Sequence, residues 1–164
     1  MDRLQQYVQD FKESDLVLVC IGELMPSCDK EGRLKSLMNE LSGKLKTKAY
    51  FVLNTSDTDL SDTDIKSTHL VQTSFLDEQR WTAYNTWLAA CLKMKMTILE
   101  LGEGFSKPNI ARWPFERLTF VSEKTRLYRV NEAFPELPKE LSEAKAVSVK
   151  QNPVEFLAEV CKYL

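Results

Sequence analysis

The sequence predicts an α/β fold of the Rossmann-like kind, a three-layer sandwich in which a parallel sheet of about six strands carries helices on both faces. Short apolar runs typical of strands buried on both faces recur along the chain, with helical segments between them. The connections are short, and the long alternating patterns of hairpins are absent from the sequence. These observations together indicate a parallel sheet covered on both sides.

The first predicted elements are a helix, a strand and a second helix. Residues 2–12 place apolar side chains on one helical face, and residues 15–21 form an apolar run that ends at Gly22. Asp29 is a suitable N-cap for the next helix, and Gly43 suits its C-terminal end, where a left-handed residue is favoured. We therefore expect the first strand to lie at the centre of a doubly wound sheet.

A second strand is predicted at residues 50–53 and a third at residues 68–73. Residues 54–64 between them contain four aspartates, but the glycine and the terminal glutamate of a calcium loop are missing, so we expect a solvated loop. Asp77 is the expected N-cap of a helix over residues 78–93. The aromatic side chains of this helix are expected to face the core.

The second half begins with a buried strand at residues 96–101, which runs into a glycine turn. Pro114 argues against a long helix after that turn, and strands are expected at residues 118–121 and 126–130. A last short strand is expected at residues 146–149. Asn152 is then the expected cap of a C-terminal helix with Pro153 at its first position.

Composition favours one domain over residues 1–164 and excludes several classes of partner. The 164 residues are 43% hydrophobic, which is enough for one core and too short a chain for two ordinary domains. The net charge is −2 with both signs interspersed, so no basic face is available for nucleic acid. No apolar run approaches the ~20 residues of a membrane span and no signal pattern opens the chain, so we expect no membrane partner and a cytoplasmic location.

The four cysteines predict neither a disulfide framework nor a zinc site, because they are widely separated and contain no Cys-x-x-Cys pair. Three of them lie in apolar patterns and are expected to be buried thiols, whereas Cys28 is expected to be the more exposed one.

The turn Gly102-Glu103-Gly104 is the first place to look for a ligand site, because crevices at the carboxyl ends of parallel strands bind nucleotides in open α/β sheets. Glycines at this point let a ligand approach the main chain. A Gly-x-Gly spacing alone is more often a plain turn between a strand and a loop.

Residues 96–116 closely resemble the late segment of the sirtuins (the SIR2 family), especially the bacterial branch found beside macrodomains. The matching motifs are Leu99-Glu-Leu-Gly-Glu-Gly-Phe105, Pro108 and Ile110-Ala-Arg-Trp-Pro-Phe-Glu116. An aromatic helix precedes them and Arg129-Val130-Asn131 follows. The resemblance covers about the last ninety residues well and the first seventy loosely. It implies a sirtuin or DHS-like NAD-binding fold and ancestry in NAD-dependent deacylation or ADP-ribosyl transfer.

The resemblance also implies which residues would surround the cofactor. Gly22 is the one residue kept from the family's glycine turn that cradles the phosphates, and Ser56 stands at the position of an asparagine that orients the ribose. Gly102, Gly104 and Asn131 match the part of the family that surrounds the adenosine half of NAD, with Ser106 beside them.

Several reactive parts of the family are missing from this sequence. Gln72 stands where ordinary sirtuins have a general-base histidine, and a glutamine cannot take a proton near neutral pH. The only histidine, His69, lies three positions earlier and is expected at an edge or on the surface. The zinc module is absent, because Phe75 and Leu76 lead straight into the next helix.

We therefore expect a degenerate sirtuin-like domain with no catalytic residue and no metal ligand, which binds NAD or ADP-ribose weakly and has no deacylase or ADP-ribosyltransferase activity. The alternative from a different class is an interaction scaffold for a protein partner that binds no nucleotide. A third hypothesis is a residual NAD-dependent enzyme that uses Asn54 or Asp57 in a shifted alignment.

Overall fold

The computed structural model describes residues 2–164 and confirms the predicted α/β class. The strands are Leu16–Ile21 (β1), Ala49–Asn54 (β2), Leu70–Gln72 (β3), Met96–Leu101 (β4), Thr125–Val130 (β5) and Ala146–Val149 (β6). They form one six-stranded parallel sheet in the order β3-β2-β1-β4-β5-β6. The chain order reverses between β1 and β4, so the carboxyl ends of these two strands form the topological switch point of the sheet.

Helices cover both faces of this sheet. They are Arg3–Glu13 (α1), Met25–Cys28 (α2), Leu34–Leu45 (α3), Glu78–Ala90 (α4), Arg112–Val121 (α5) and Pro153–Tyr163 (α6). Side chains of α1, α3 and α6 pack into one core on one face, and side chains of α4 and α5 pack into a second core on the other. Short 3-10 turns flank β3 at 67–69 and 73–75, and a third follows α4 at 91–93.

The central strand β1 supplies both cores because successive side chains of a strand point to opposite faces. Val17, Val19 and Ile21 face the first core, whereas Leu18 and Cys20 face the second. All six residues of β1 are buried, as expected for a parallel strand covered on both sides. Among residues 2–164, no helix combines the length and the apolar character that crossing a bilayer requires.

The strand predicted at residues 118–121 is wrong, because these residues belong to α5. Pro114 is the third residue of α5, and the first backbone N–H groups of a helix have no acceptor within it. A proline is therefore tolerated at this point, and it does not interrupt the ten-residue helix in which it lies.

The prediction that Gly43 ends the second long helix is also wrong. Gly43 lies inside α3, which continues to Leu45. The N-cap residue of α3 is Arg33 and not Asp29 as predicted, although the Asp29 carboxylate accepts from the backbone N–H of Arg33 at 2.7 Å and of Leu34 at 2.9 Å. The four-residue helix α2, which precedes Asp29, has no counterpart among the predicted elements.

Candidate functional site

The turns that follow β1 and β4 are in direct contact at the switch point. The N–H of Gly22 donates to the carbonyl of Leu101 at 2.7 Å, and the N–H of Leu24 donates to the carbonyl of Gly102 at 2.9 Å. A Cβ added to Gly22 would overlap the backbone of Gly102 and Glu103. Glycine is required at 22 because the two backbones touch there, and at 102 because φ is +67°.

This contact engages backbone donors that a phosphate would use. A phosphate at a glycine turn is held by free backbone N–H groups and by the N-terminus of the following helix. Here the N–H groups of Gly22 and Leu24 donate to the carbonyls of Leu101 and Gly102 after β4, and the N–H of Met25 donates to the carbonyl of Gly22 within its own turn. The helix that follows, α2, is only four residues long, so its dipole is small.

A small polar cavity of about 200 Å³ opens beside the paired turns. It lies at the carboxyl ends of β1, β2, β3 and β4, where the residues after each strand converge. Its walls carry three carboxylates, several hydroxyls and one lysine: Glu23, Thr55, Asp57, Thr73, Ser74, Glu103, Ser106, Lys107 and Ile110. The cavity is smaller than the roughly 300–1,000 Å³ of typical ligand pockets.

Glu103 is the most perturbed group in this cavity. It is 2% exposed, and its Oε2 accepts from Thr55 Oγ1 at 2.6 Å and from Cys20 Sγ at 3.3 Å. Burial raises the pKa of Glu103 to about 7, an effect that the two hydrogen bonds oppose and the nearby carboxylates of Glu100 and Glu23 reinforce. Glu103 can therefore exchange a proton near neutral pH.

Glu23 lines the side of the cavity next to Gly104. Its carboxylate accepts from the hydroxyl of Ser106 and from the backbone N–H of Ser106 at 3.2 Å. The space that a side chain at position 104 would occupy is filled by this carboxylate, which explains why a glycine suits that position. A carboxylate therefore lines this side of the cavity.

Asn131 connects the turn after β4 to the turn after β5 by hydrogen bonds. It is 2% exposed, and its Nδ2 donates to the carbonyl of Glu103 at 2.9 Å. Its Oδ1 accepts from the N–H groups of Ala133 and Phe134, each at 3.0 Å. Arg112 Nη1 donates to the same Glu103 carbonyl at 3.0 Å, so this turn is fixed from two sides.

The buried side chains of Asn54 and Ser56 and the partly exposed Gln72 form a hydrogen-bond network that holds the acidic loop. Asn54 donates through Nδ2 to Gln72 Oε1 at 2.9 Å, and its Oδ1 accepts from Ser56 Oγ at 2.6 Å. Gln72 Oε1 also accepts from the N–H of Leu60 at 2.8 Å, and Gln72 Nε2 donates to Asp59 at 3.0 Å. The amides of Asn54 and Gln72 are thus engaged in supporting the loop.

His69 lies in the 3-10 turn before β3, and its ring centroid is 4.5 Å from that of Tyr50 and 6.0 Å from that of Phe51. It does not line the cavity at the switch point. Burial lowers the pKa of His69, an effect that the charges of Lys66 and Arg80 reinforce.

Behind the cavity, Arg129 forms a buried ion pair that ties β5 to β4. Its Nε is 2.5 Å from Glu100 Oε2, and its Nη1 is 2.7 Å from Glu116 Oε1 in α5. Arg129 and Glu100 are both fully buried, so the Glu100 charge is compensated within the protein.

The five residues predicted to hold a nucleotide all lie around the carboxyl end of the sheet, and all five are buried. Gly22 and Gly102 form the paired turns, Gly104 lies under Glu23, and Ser56 and Asn131 are hydrogen-bonded within the protein. Their role in nucleotide binding stays a prediction.

The walls of the cavity are instead made by residues that are not among those five, above all Glu23, Thr55 and Glu103. The sequence does carry a signal for them: each follows a predicted strand directly or within two residues, two of them beside a glycine, at the end of the sheet where ligands bind.

Within residues 2–164, no group of three or more histidine, cysteine or acidic side chains is arranged to hold a metal ion, and the four cysteines are free thiols. No known family model matches this chain, and no curated protein matches it either.

Proposed function

We propose that this chain is a sirtuin-like domain that has no deacylase or ADP-ribosyltransferase activity and serves as a protein-interaction scaffold. Its affinity for NAD and ADP-ribose is then in the range of about 1 mM or weaker, which corresponds to about −4 kcal/mol. The observation that supports this proposal best is the contact between the turns at Gly22 and Gly102, which uses the N–H groups that a diphosphate needs.

Charge at the cavity supports the same proposal. A diphosphate entering at the switch point would approach Glu23 and Asp57, and Glu103 in its ionised fraction, against a single lysine, Lys107. Like charges at short range disfavour binding by several kcal/mol when water is excluded. Displacing Glu23 would also break its hydrogen bonds with Ser106.

The competing function is residual NAD-dependent turnover, and Glu103 is the observation that favours it. A buried carboxyl with a pKa of about 7 in a crevice has the properties of a general acid or base. Asn54 is a poor candidate for the same role because both ends of its amide are hydrogen-bonded within the protein.

Titration with NAD and with ADP-ribose tests the proposal. A ligand that binds only the folded state raises the unfolding midpoint by mass action, so about 1 mM of either nucleotide should leave the midpoint of the wild-type protein nearly unchanged. Calorimetry should agree. A dissociation constant in the micromolar range would overturn the proposal.

The reason for weak binding can be tested separately. If the carboxylates repel the diphosphate, Glu23→Gln with Glu103→Gln should strengthen ADP-ribose binding relative to wild type, whereas Glu143→Gln on the surface should not. Release of nicotinamide from NAD should be undetectable in all three proteins. Turnover that Glu103→Gln abolishes and Glu143→Gln leaves intact would establish the competing function.

A further inference from the structure

Helix α4 presents an unusual surface to solvent. The twelve residues 81–92 contain no charged side chain, although Tyr84 is the only residue of α4 that is buried. A helix without a charged face is normally covered on all sides, because solvent-facing helical positions are usually charged or strongly polar. The uncovered side of α4 therefore has the composition of an interface.

The exposed stripe of α4 consists of small, uncharged residues at helical spacing. Thr82, Thr86 and Ala89 follow one another at intervals of four and three residues, with Ala83 and Ala90 beside them, and all five are exposed. Small side chains on a helix allow the backbone of a second helix to approach closely.

Apolar side chains lie at both ends of this stripe. Phe75 and Leu76, just before α4, are 49% and 57% exposed, and Leu92 and Met94, just after it, are 46% and 43% exposed. These four large apolar residues, exposed at the two ends of the uncharged stretch 81–90, extend the surface well beyond the helix itself. We call residues 75–94 on this side of the molecule the α4 surface.

Two of the charges of the α4 surface, one at each end, are placed to pair with those of a second copy. Glu78 is exposed at the start of α4, and Lys93 and Lys95 are exposed beyond its end. Glu78 and Lys93 lie equally far along the chain from the point between Asn85 and Thr86. Two antiparallel copies related by a two-fold axis at that point would set Glu78 of each against Lys93 of the other.

The same two-fold axis matches the rest of the α4 surface. Thr82 and Ala89 are also equally spaced about it, so small residues would face small residues along the centre. The apolar pair 75–76 of one copy would lie at the same end of the interface as Leu92 and Met94 of the other. We propose that the α4 surface binds a second copy of this chain in an isologous, antiparallel dimer.

The apolar ends are what make this interface large enough. An α-helix of thirteen residues is only about 20 Å long, and two such helices alone bury less than the roughly 800 Å² per partner of a stable interface. The contacts of Phe75, Leu76, Leu92 and Met94 extend the buried surface at both ends. This proposal does not depend on nucleotide binding, since its readout is molecular mass.

Sedimentation equilibrium of the whole chain from about 1 µM to about 1 mM tests the dimer. We expect reversible association to twice the mass of one chain. Ala89→Glu should prevent it, because the interface would bury two uncompensated carboxylates near the axis. Ala144→Glu, at an exposed turn before β6 on the far edge of the sheet, should leave it unchanged. A monomer throughout, or a dimer that Ala89→Glu does not weaken, would overturn the proposal.

A charge exchange tests the two-fold geometry. Glu78→Lys and Lys93→Glu should each weaken the dimer by placing like charges opposite one another, and the double variant should recover at least part of the wild-type association. Circular dichroism establishes that each variant keeps its helices. A double variant that associates no better than the weaker single variant would contradict the antiparallel pairing.

Discussion

Glu103 is a buried carboxyl at the junction of the turns after β1 and β4, and its protonation state changes the charge of the cavity. Its hydrogen bonds from Thr55 and Cys20 tie the ends of β2 and β1 to the turn after β4. The charged form of Glu103 is disfavoured by burial, whereas the neutral form can keep the same neighbours. The residue therefore joins the two halves of the sheet and makes that joint sensitive to pH.

Stability should depend on pH through Glu103 in a predictable direction. Its pKa is raised from 4.5 to about 7 by burial, so between these values the unfolded chain loses the proton while the folded protein keeps it. The contribution of Glu103 to the free energy of unfolding therefore falls from pH 4.5 to about 7 and is constant above that range.

Glu103→Gln removes this dependence, because glutamine can still accept from Thr55 and carries no charge. We expect the variant to match wild type near pH 4.5 and to exceed it in free energy of unfolding by up to about 3 kcal/mol at about pH 8. Urea denaturation across this range measures the difference. Glu143→Gln serves as a control on the surface, and a constant difference for Glu103→Gln would show that Glu103 does not titrate as proposed.

Glu103 also shows what the sequence can reveal about a site. An apolar run followed by two glycines predicts the turn after β4 as the place to look. The burial of Glu103 cannot be predicted in the same way, because it depends on Thr55 and Cys20 from other strands. Pairing across a sheet is set by tertiary contacts that a local pattern does not contain.

At the scale of elements, the difference between prediction and structure at α5 has a clear local cause. A proline such as Pro114 indicates a helix breaker when it is taken alone, but its effect depends on its position in the helix. At the third residue of α5 it removes an N–H that would have had no intrahelical acceptor. The third strand is shorter than predicted, since residues 68, 69 and 73 lie in 3-10 turns. The other buried strands begin and end within one residue of the prediction, because a continuous apolar run marks the position of a strand clearly.

Gly43 and Gly32 give a matched pair for testing backbone effects. Gly43 lies within α3, and an added methyl group would meet open space there, so Gly43→Ala should raise the free energy of unfolding by about 0.5–1 kcal/mol through helix propensity. An added methyl group at Gly32 would also meet open space, but Gly32 has a φ of +67°. Gly32→Ala should therefore lower the free energy of unfolding by about 1 kcal/mol. Thermal and urea unfolding of both variants measures the contrast. Equal effects would contradict the helical assignment of Gly43.

At the scale of the molecule, β1 and β4 join two halves of the sheet that are each built from consecutive strands. Their pairing is continuous from Leu16 opposite Met96 to Ile21 opposite Leu101, and the contact of Gly22 with Gly102 extends it into the turns. In a nucleotide-binding sheet this boundary opens into a crevice at its carboxyl end. In this chain the turns after β1 and β4 contact each other there, so the switch point helps to hold the two halves of the sheet together.

Gly22→Ala tests this role of the switch point. The added methyl group would overlap backbone atoms of Gly102 and Glu103, which cannot move without breaking the turn, so we expect a loss of about 3 kcal/mol or more in a single unfolding transition. Gly104→Ala is the matched control, because its methyl group would meet only the flexible carboxylate of Glu23. It should cost clearly less. If Gly22→Ala were as mild as Gly104→Ala, the contact between the two turns would not be a rigid junction.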